Sequence, residues 1–228
     1  MTKNRDTDNI IIDNYIISIF FGADMSVRDT SIDSRLLQSA REEFLKKGFL
    51  KADLKTICDN AGVTTGAVYK RYKGKEELFS AVVAGVVSAL DSFLADRSGI
   101  DFSGFSDDEI RASWKMSYDN MIPMFRMLRS YGDDFRILID RSAGTGFENF
   151  SHEYVIKLSY AYEQFYKEAY KRGIAKAKVS RDEFHILLTS FWSSICEPFV
   201  HDISDKQMEE HCRVICRFFD WAAVIKLN

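Results

Sequence analysis

The sequence contains very few residues that interrupt regular structure. Its 228 residues include only 2 prolines and 12 glycines, and a fold of many short strands needs more turn-forming residues than this. Apolar residues recur instead at helical spacing, as Leu36, Ala40 and Phe44 do near the start of the chain. The sequence therefore predicts an all-α protein.

Charge is distributed unevenly along the chain. The formal net charge is −3, which alone gives no reason to expect binding to nucleic acid or to an anionic membrane. Residues 34–78, however, hold ten Lys and Arg against six Asp and Glu. Within 64–75 there are four cations and no acid. The acidic total thus conceals a basic segment.

The cysteines and the apolar runs indicate a cytoplasmic protein. The four cysteines lack the spacing of a secreted disulfide framework, so reduced thiols fit best. We expect no membrane span, because no run approaches the roughly 18 to 20 apolar residues that one requires. The nearest run, 15–23, is bracketed by Asp13 and Asp24 and lacks the form of a secretory signal.

The first thirty residues differ from the rest. The stretch NIIIDNYIISIFF is β-branched and aromatic and shows no helical stripe, so it predicts a strand or an irregular arm. A second interpretation takes Met25 as the true start, because the polar residues after it lead directly into a helix. Both interpretations stay open, and residues 1–32 are assigned as an N-terminal extension.

Three short helices and a longer one are predicted after this extension. The first covers about fourteen residues from Asp33, and the fourth runs from about Lys75 to Ala95. Their boundaries are marked by glycines that stop a helix and by Asp or Thr residues that cap the next one. These boundary residues are Gly48, Asp53, Gly62, and Thr64 or Thr65.

The helical pattern resumes after a linker rich in Gly and Ser, SGIDFSGFSD. Pro123 is expected where a helix bends or restarts, because its ring removes a hydrogen bond and crowds the preceding turn. The predicted helices lie near 106–121, 123–131, 133–142, 149–172, 181–201 and 205–226. With the first helices, the whole fold has about nine to ten.

The segment DNAGVTTGAVYKRYKGKEEL, residues 59–78, has the parts of a helix-turn-helix unit. In such a unit the second helix enters the major groove of DNA. Gly62 can take the left-handed conformation that ends the first helix. Val68 and Tyr72 share one face of the second helix, where they can anchor it.

The opposite face of the second helix carries groups suited to DNA. Hydroxyls of Thr64 and Thr65 stand at its start, and the small Gly66 and Ala67 allow a close approach. Outward residues can reach phosphates or base edges, and a further lysine can bind the next phosphate. These are Tyr69, Lys70, Arg71 and Lys75. A merely solvated basic surface would carry similar charge, but the ordered series of residue types favours DNA binding.

The segment from Leu36 to Leu78 resembles the TetR (AcrR-type) family of bacterial transcriptional regulators. LLQSAREEFLKKGF is similar to the first helix of that family. LKTICDNAGVTTGAVYKRYKGKEEL is similar to its signature, hydrophobic-x-x-Ile-Ala-x-x-Ala-Gly-Val-Ser-x-Gly-x-hydrophobic-Tyr-x-x-Phe-x-x-Lys-Glu-x-Leu. Four positions depart from the family pattern, namely Ala52 for a Thr that often contacts phosphate, Cys58 for Ala, Thr64 for Ser and Tyr72 for Phe.

The resemblance implies an architecture and a set of DNA contacts. A three-helix DNA-binding domain would occupy residues 33–78, and a larger helical domain for ligand binding and dimerisation would occupy 79–228. Operator DNA would be bound by a homodimer formed through the last two helices, 181–226, whose apolar runs agree with burial on several sides. Carried over by position, the DNA contacts are Lys55, Thr65, Gly66, Ala67, Tyr69, Lys70, Arg71 and Lys75.

The resemblance also implies an effector cavity, and aromatic residues and methionines are dense in 114–128 and 160–170. Such side chains can line an adaptable apolar pocket, although a stripe of them is more often ordinary core. The candidate lining residues are Trp114, Tyr118, Met121, Phe125, Tyr162, Phe165 and Trp192.

No pattern in the sequence indicates catalysis. The histidines and cysteines near 201–216 lack zinc-knuckle spacing, and no nucleophile motif is present, so we expect no metal, no cofactor and no enzymatic activity. The sequence predicts a ligand-responsive regulator of transcription, a repressor by family analogy. An activator, or a protein-interaction module of the same fold, is the alternative.

Overall fold

A computed structural model describes residues 31–228, and the regular elements in that range are helices, which confirms the all-α class. A one-residue antiparallel bridge joins Ala175 to Leu227. The expectations about an N-terminal arm and a start at Met25 fall on residues 1–30 and lie outside the described residues. In chain order the elements are α1 (Ser31–Lys51), α2 (Leu54–Ala61), α3 (Thr65–Tyr69), α4 (Lys75–Ser98), a 3₁₀ turn (Phe102–Gly104), α5 (Asp107–Ser113), α6 (Tyr118–Ser130), α7 (Asp133–Asp140), α8 (Phe150–Lys171), α9 (Arg181–Val200), α10 (Asp205–Phe218) and α11 (Trp221–Val224).

The apolar stripe of α1 packs against α2 and α4. Leu36, Ala40 and Phe44 are buried, as their spacing predicts. Gly48 has a φ of 70° and interrupts the helical conformation inside α1, as the sequence predicts. About one more helical turn follows it. A glycine is suited to this position because other residues rarely adopt such a φ.

Local capping fixes the ends of α2 and α3. The carboxylate of Asp53 accepts hydrogen bonds from two backbone N–H groups in the first turn of α2. Gly62 ends α2 with a φ of 68°. Thr64 caps α3, since its Oγ1 accepts from the backbone N–H of Ala67 at 3.2 Å. Of the two candidate threonines, Thr64 is therefore the cap and Thr65 is the first helical residue.

The helix predicted at 106–121 is wrong, because two helices, α5 and α6, share that range. The hydroxyl of Ser117 accepts the backbone N–H of Asn120 at 3.2 Å and so starts a new helix. Pro123 does not restart a helix as expected; it lies inside α6. There it removes a single backbone hydrogen bond, close to the beginning of the helix.

The single helix predicted at 205–226 is also wrong. α10 ends at Phe218, and the carboxylate of Asp220 accepts the backbone N–H of Ala223 at 3.0 Å to begin α11. The chain then returns to the C-terminal side of α8, where the backbone N–H of Asn228 donates to the carbonyl of Ile174 at 3.0 Å. The helices predicted at 133–142, 149–172 and 181–201 are confirmed to within two residues at each end.

α4 corrects the expectation about membrane spans. Among the described residues it is the helix with the length and composition to cross a membrane, with a mean hydropathy of 1.9 over its most apolar window. Serines and charged residues interrupt its apolar pattern, so it does not contain an unbroken apolar run of membrane length. A core helix meets the same criteria, and α4 buries residues such as Leu78, Val82 and Val86 while packing against α1, α7 and α8.

α7 joins the first helices to the larger half. Arg41 of α1 makes a two-pronged ion pair with Asp134, with Nη2 at 2.9 Å from Oδ2 and Nε bonded to Oδ1. The hydrogen bond to Asp134 raises the pKa of Arg41. Just after α7, the carbonyl of Arg141 accepts the backbone N–H of Phe49 at 2.9 Å. The helices at residues 31–69 are thus fixed to α7 and to the chain that follows it.

Candidate nucleic-acid interface

α3 has an anchored inner face and an exposed outer face. Val68 is fully buried and Tyr72 is half-buried, and burial raises the pKa of the Tyr72 phenol. Tyr69 is 61% exposed and Lys70 is exposed. The side chains therefore divide as the sequence predicts, with a phenol and an ammonium directed to solvent.

The start of α3 is narrow and accessible. Thr64, Thr65 and Gly66 are exposed, and Ala67 is half-buried. A methyl group placed at Gly66 would meet Oγ1 of Thr64 at 3.9 Å, an ordinary contact, so little else crowds this backbone. A flat ligand surface can approach the first turn of α3 closely.

Arg71 is held by its own chain. Its Nε donates to Oδ1 of Asp33, in α1, at 2.5 Å, and its Nη1 donates to the carbonyl of Ala67 at 3.4 Å. Both partners of the ion pair keep about a third of their side-chain surface exposed. The guanidinium can therefore contact DNA either beside Asp33 or after leaving it. The sequence alone did not predict the Asp33 contact.

Lys75 also has partners inside the chain. Its Nζ donates to the carbonyls of Phe49 at 2.6 Å and Ala52 at 2.9 Å. The ammonium lies 4.4 Å from the centre of the Phe49 ring. It therefore binds the chain that links α1 to α2, whereas the sequence suggested a phosphate contact for it.

Other exposed cations surround the outer face of α3. Lys55 is exposed on α2, where Asp59 lies 3.9 Å from its ammonium, at the limit of an ion pair. Lys73 is exposed between α3 and α4. Lys73 belongs to the basic cluster of the sequence but was not a predicted DNA contact. Its exposure beside Lys70 is the signal that distinguishes it.

A small cavity lies inside the larger half, among α4, α6, α8 and α9. Its volume is about 50 Å³. It is lined by Phe93, Arg97, Asn120, Met121, Met124, Tyr154, Leu158, Tyr162, Phe191, Trp192 and Ile195. The lining is aromatic and apolar except for one guanidinium, one amide, two phenols and an indole N–H.

The structure brings three of the seven candidate effector residues to this cavity, namely Met121, Tyr162 and Trp192. The other four pack elsewhere. Trp114 contacts Phe184, Phe125 packs between Phe199 and His211, Phe165 lies against Phe102, and Tyr118 lies under the guanidinium of Arg213. Arg97 was not among the predicted lining residues, and its helical spacing from Phe93 was the available signal.

The cysteines and histidines of the described range do not assemble into a metal site. No group of three His, Cys, Asp or Glu side chains with suitable placement occurs in residues 33–228. The four cysteines are unpaired, and burial raises the pKa of Cys196. A buried thiol with a raised pKa is a poor nucleophile at neutral pH.

Comparison with known proteins identifies the basic domain. Residues 36–82 match the sequence profile of the bacterial regulatory proteins of the tetR family, a range that contains α2, α3 and the start of α4. This segment of the chain belongs to the TetR family. UidR of Escherichia coli K12 is 32% identical over 78 residues, or 34% of this chain and 40% of UidR. SrpR of Pseudomonas putida is 38% identical over 69 residues, or 30% of this chain and 32% of SrpR.

These matches span less than half the length of either curated relative. Over the rest of the chain, the likeness to solved structures is one of fold. NalD of Pseudomonas aeruginosa is described as the secondary repressor of the MexAB-OprM multidrug efflux pump. Its structure has a TM-score of 0.55, covers 82% of this chain and 96% of NalD, and is 22% identical. The helical architecture beyond the DNA-binding domain is thus shared.

α9 and α10 expose large apolar side chains. Ile186 is 57% exposed, Val214 is 46% exposed and Phe218 is 78% exposed. Apolar groups of this size are unfavourable in water and often mark an interaction surface. They lie on the two helices from which the sequence predicts dimerisation.

Proposed function

We propose that this chain is a sequence-specific DNA-binding regulator of transcription. As a homodimer it would place α3 of each subunit into successive major grooves of a near-palindromic operator. The observation that carries the proposal is the outer face of α3, whose narrow start and exposed Tyr69 and Lys70 lie within the segment that matches the TetR family. A purely structural turn has no need for this combination.

The proposed contacts fall into two groups. Residues free to meet DNA directly are Lys55, Thr64, Thr65, Gly66, Ala67, Tyr69 and Lys70. Arg71 can contact a base or phosphate by releasing Asp33. A DNA acceptor must then compete with the carboxylate of Asp33 for the guanidinium. Lys75 would act by positioning, because its ammonium binds backbone carbonyls; a phosphate contact would require it to share that ammonium.

The proposal is tested by electrophoretic mobility shift with DNA from upstream of the protein's own gene and its neighbours. We expect wild-type protein to bind one such region, with affinity that falls steeply as salt rises. Lys70→Ala should weaken binding and lower the salt slope by about two units, since one phosphate contact is lost in each subunit of the dimer. Tyr69→Ala should weaken binding with a smaller change in slope.

Lys46→Ala is the matched control, because Lys46 is equally exposed but lies on α1. It should leave both affinity and slope unchanged. If Lys70→Ala and Lys46→Ala behave alike, the contact assignment is wrong. If the wild-type protein shifts none of the regions at low salt, the DNA-binding proposal fails and a protein-interaction module becomes the better explanation.

We also propose that the exposed surface of α9 and α10 forms the dimer interface. Val214 and Phe218 are one helical turn apart on α10, so they can form one apolar patch. Phe218→Glu should convert a dimer to a monomer in sedimentation or light-scattering measurements. Ile156→Glu on α8, where the side chain is 38% exposed, is the control. A monomeric wild-type protein would refute the interface.

The remaining elements of the proposal concern regulation. By family analogy the protein would act in the cytoplasm as a repressor, and a small effector would bind the interior cavity and favour a state with lower DNA affinity. Reporter expression from the bound region, with and without the regulator gene, gives the sign of regulation. Higher expression on deletion supports repression, and lower expression supports activation.

A further inference from the structure

Arg97 introduces a positive charge into a cavity lined mainly by aromatic and apolar side chains. Its guanidinium carbon lies 4.4 Å from the centre of the Phe93 ring and 5.7 Å from the centre of the Tyr162 ring. Aromatic faces attract a guanidinium and hold its plane, but they accept few of its hydrogen bonds. The two rings thus position the charge at the cavity without satisfying its hydrogen-bond donors.

Two donors at this cavity are buried without a partner. Within residues 33–228, neither Nε of Arg97 nor Nε1 of Trp192 has a hydrogen-bond acceptor. A buried donor without an acceptor carries a free-energy penalty, and native structures rarely retain one without a reason. Because both groups are donors, an acceptor is the group that would complement them.

No acid supplies that acceptor from the lining. The lining residues of the described chain include no Asp or Glu. Asp91 of α4 lies 3.5 Å from the ammonium of Lys157 and is paired there. The hydroxyl of Tyr154 points to the carbonyl of Leu90 at 3.4 Å, and burial raises the pKa of this phenol, so it stays neutral. An anion that entered the cavity would meet Arg97 without a competing carboxylate.

We propose that the cavity binds a small organic acid, with an aromatic body and one carboxylate, as the effector. The carboxylate would accept from Nε of Arg97 and Nε1 of Trp192, and the aromatic body would pack on Tyr162 and the methionines. This inference rests on the proposed function, because it names the effector of that regulator. A charged hydrogen bond in a dry site is stronger than a neutral one.

The cavity is too small to hold such an acid unless its lining side chains move. At about 50 Å³ it is well below the roughly 300–1,000 Å³ of a typical ligand pocket. Met121 and Met124 on α6 line it, and unbranched methionine side chains change rotamer readily. Acid binding therefore requires α6 side chains to move, so the ligand favours a conformation different from the empty one.

The test measures binding of benzoate, phenylacetate and indole-3-acetate by calorimetry at neutral pH, up to millimolar concentration. Each acid is compared with its uncharged amide. We expect at least one acid to bind and raise the melting temperature, and its amide to bind at least about tenfold more weakly. Arg97→Gln should weaken acid binding about 30-fold, and Trp192→Phe should weaken it less, because it removes a neutral donor.

Arg136→Gln is the matched control, since Arg136 is also half-buried with an unpartnered Nε but does not line the cavity. It should bind the acid as the wild type does. The proposal is overturned if no acid binds, if amides bind as well as acids, or if Arg97→Gln leaves acid affinity unchanged. Operator binding by ligand-free wild-type protein is measured separately. Acid binding without operator binding would refute the proposal that the protein regulates transcription, but it would support the proposed acid site.

Discussion

Lys75 shows how one side chain connects distant parts of the DNA-binding domain. It begins α4, and its ammonium binds the carbonyls of Phe49 and Ala52, which lie within about one turn after the glycine that interrupts α1. Cations near the end of a helix stabilise its unpaired carbonyls. The same side chain thus completes α1, orders the link to α2 and fixes the start of α4.

Lys75→Met should destabilise the protein by about 2 kcal/mol, because carbonyls that accept from a charged donor lose it. DNA affinity should fall as the domain loosens, but the salt slope should stay the same if Lys75 positions the domain and contacts no phosphate. Urea denaturation and mobility shifts at several salt concentrations measure the two effects. Lys73→Met, at an exposed position, is the control for stability. A lower salt slope for Lys75→Met would show that Lys75 does contact a phosphate.

Glu43 makes the stability of the same domain depend on pH. It is buried, accepts the backbone N–H of Asp53 at 3.1 Å, and lies 2.7 Å from the ammonium of Lys47. Burial acts to raise its pKa, but these two contacts outweigh burial and lower it. A carboxyl whose folded pKa is lowered stabilises the fold above its unfolded pKa of about 4.3.

The stabilisation by Glu43 should therefore be present at pH 7 and lost as pH falls below about 4.3 through the lowered folded pKa. Glu43→Gln should be less stable than wild type at pH 7 and should lose less stability between about pH 5 and pH 3. Denaturation at a series of pH values measures this, with the exposed Glu42→Gln as control. Parallel curves for wild type and Glu43→Gln would contradict the assignment.

For single residues, the sequence predicts those structural roles that depend on residues close by in the chain. Asp53, Gly62 and Thr64 follow from local rules, because each acts on backbone within three or four residues. The partners of Lys75 lie more than twenty residues away, and Arg71 binds Asp33 across 38 positions. Such pairings depend on how helices pack, which the periodicity of one segment does not encode.

Among the helices, α9 and α10 are joined by an unusual hydrogen bond. Pro198 lies inside α9 and has no N–H to donate to the carbonyl four residues earlier, that of Ser194. Nε2 of His211, on α10, lies 2.7 Å from this carbonyl oxygen. Since a carbonyl only accepts, Nε2 carries the proton. A side chain of the next helix thus replaces the bond that proline removes.

His211→Leu should lower stability by about 1 kcal/mol, because the Ser194 carbonyl loses its donor. In a Pro198→Ala background the backbone N–H can bond to that carbonyl, so the same substitution should cost at least about 0.5 kcal/mol less. Urea denaturation of the four proteins gives this coupling. His201→Leu, at an exposed position, should have little effect. Equal costs in both backgrounds would show that the two sites are independent.

Element boundaries were predictable only where one signal dominated. The sequence analysis gave α8 and α9 correctly because their apolar patterns are long. It merged α5 with the start of α6, and α10 with α11, because apolar spacing continues across Ser117 and Asp220, whose side chains cap new helices. A polar residue in a helical pattern does not reveal whether it faces solvent or caps a helix.

In the molecule as a whole, α7 lies between the cavity and the DNA-binding domain. The ring of Phe135 is 6.1 Å, centre to centre, from that of Trp192, which lines the cavity. The adjacent Asp134 makes the two-pronged ion pair with Arg41 of α1. A shift of Trp192 on ligand binding would therefore act on α1 through two successive residues of α7.

Asp134→Ala should destabilise the protein by about 2 kcal/mol, because Arg41 loses a partly buried partner. The double variant with Arg41→Ala should be more stable than the two single effects predict. The exposed pair Arg126–Glu209, 3.4 Å apart, should give a coupling below about 1 kcal/mol in the same denaturation experiment. Additive effects of Arg41→Ala and Asp134→Ala would exclude a coupled link.

α4 carries Lys75 at one end and Arg97 near the other. Its 24 residues extend about 36 Å at 1.5 Å per residue. A stiff rod of that length converts a small rotation into a large displacement, so a tilt of about 5° at the Arg97 end moves the Lys75 end by about 3 Å. An effector would not need to reshape the DNA-binding domain. A small change in the inclination of α4 would move α3 relative to the groove it enters.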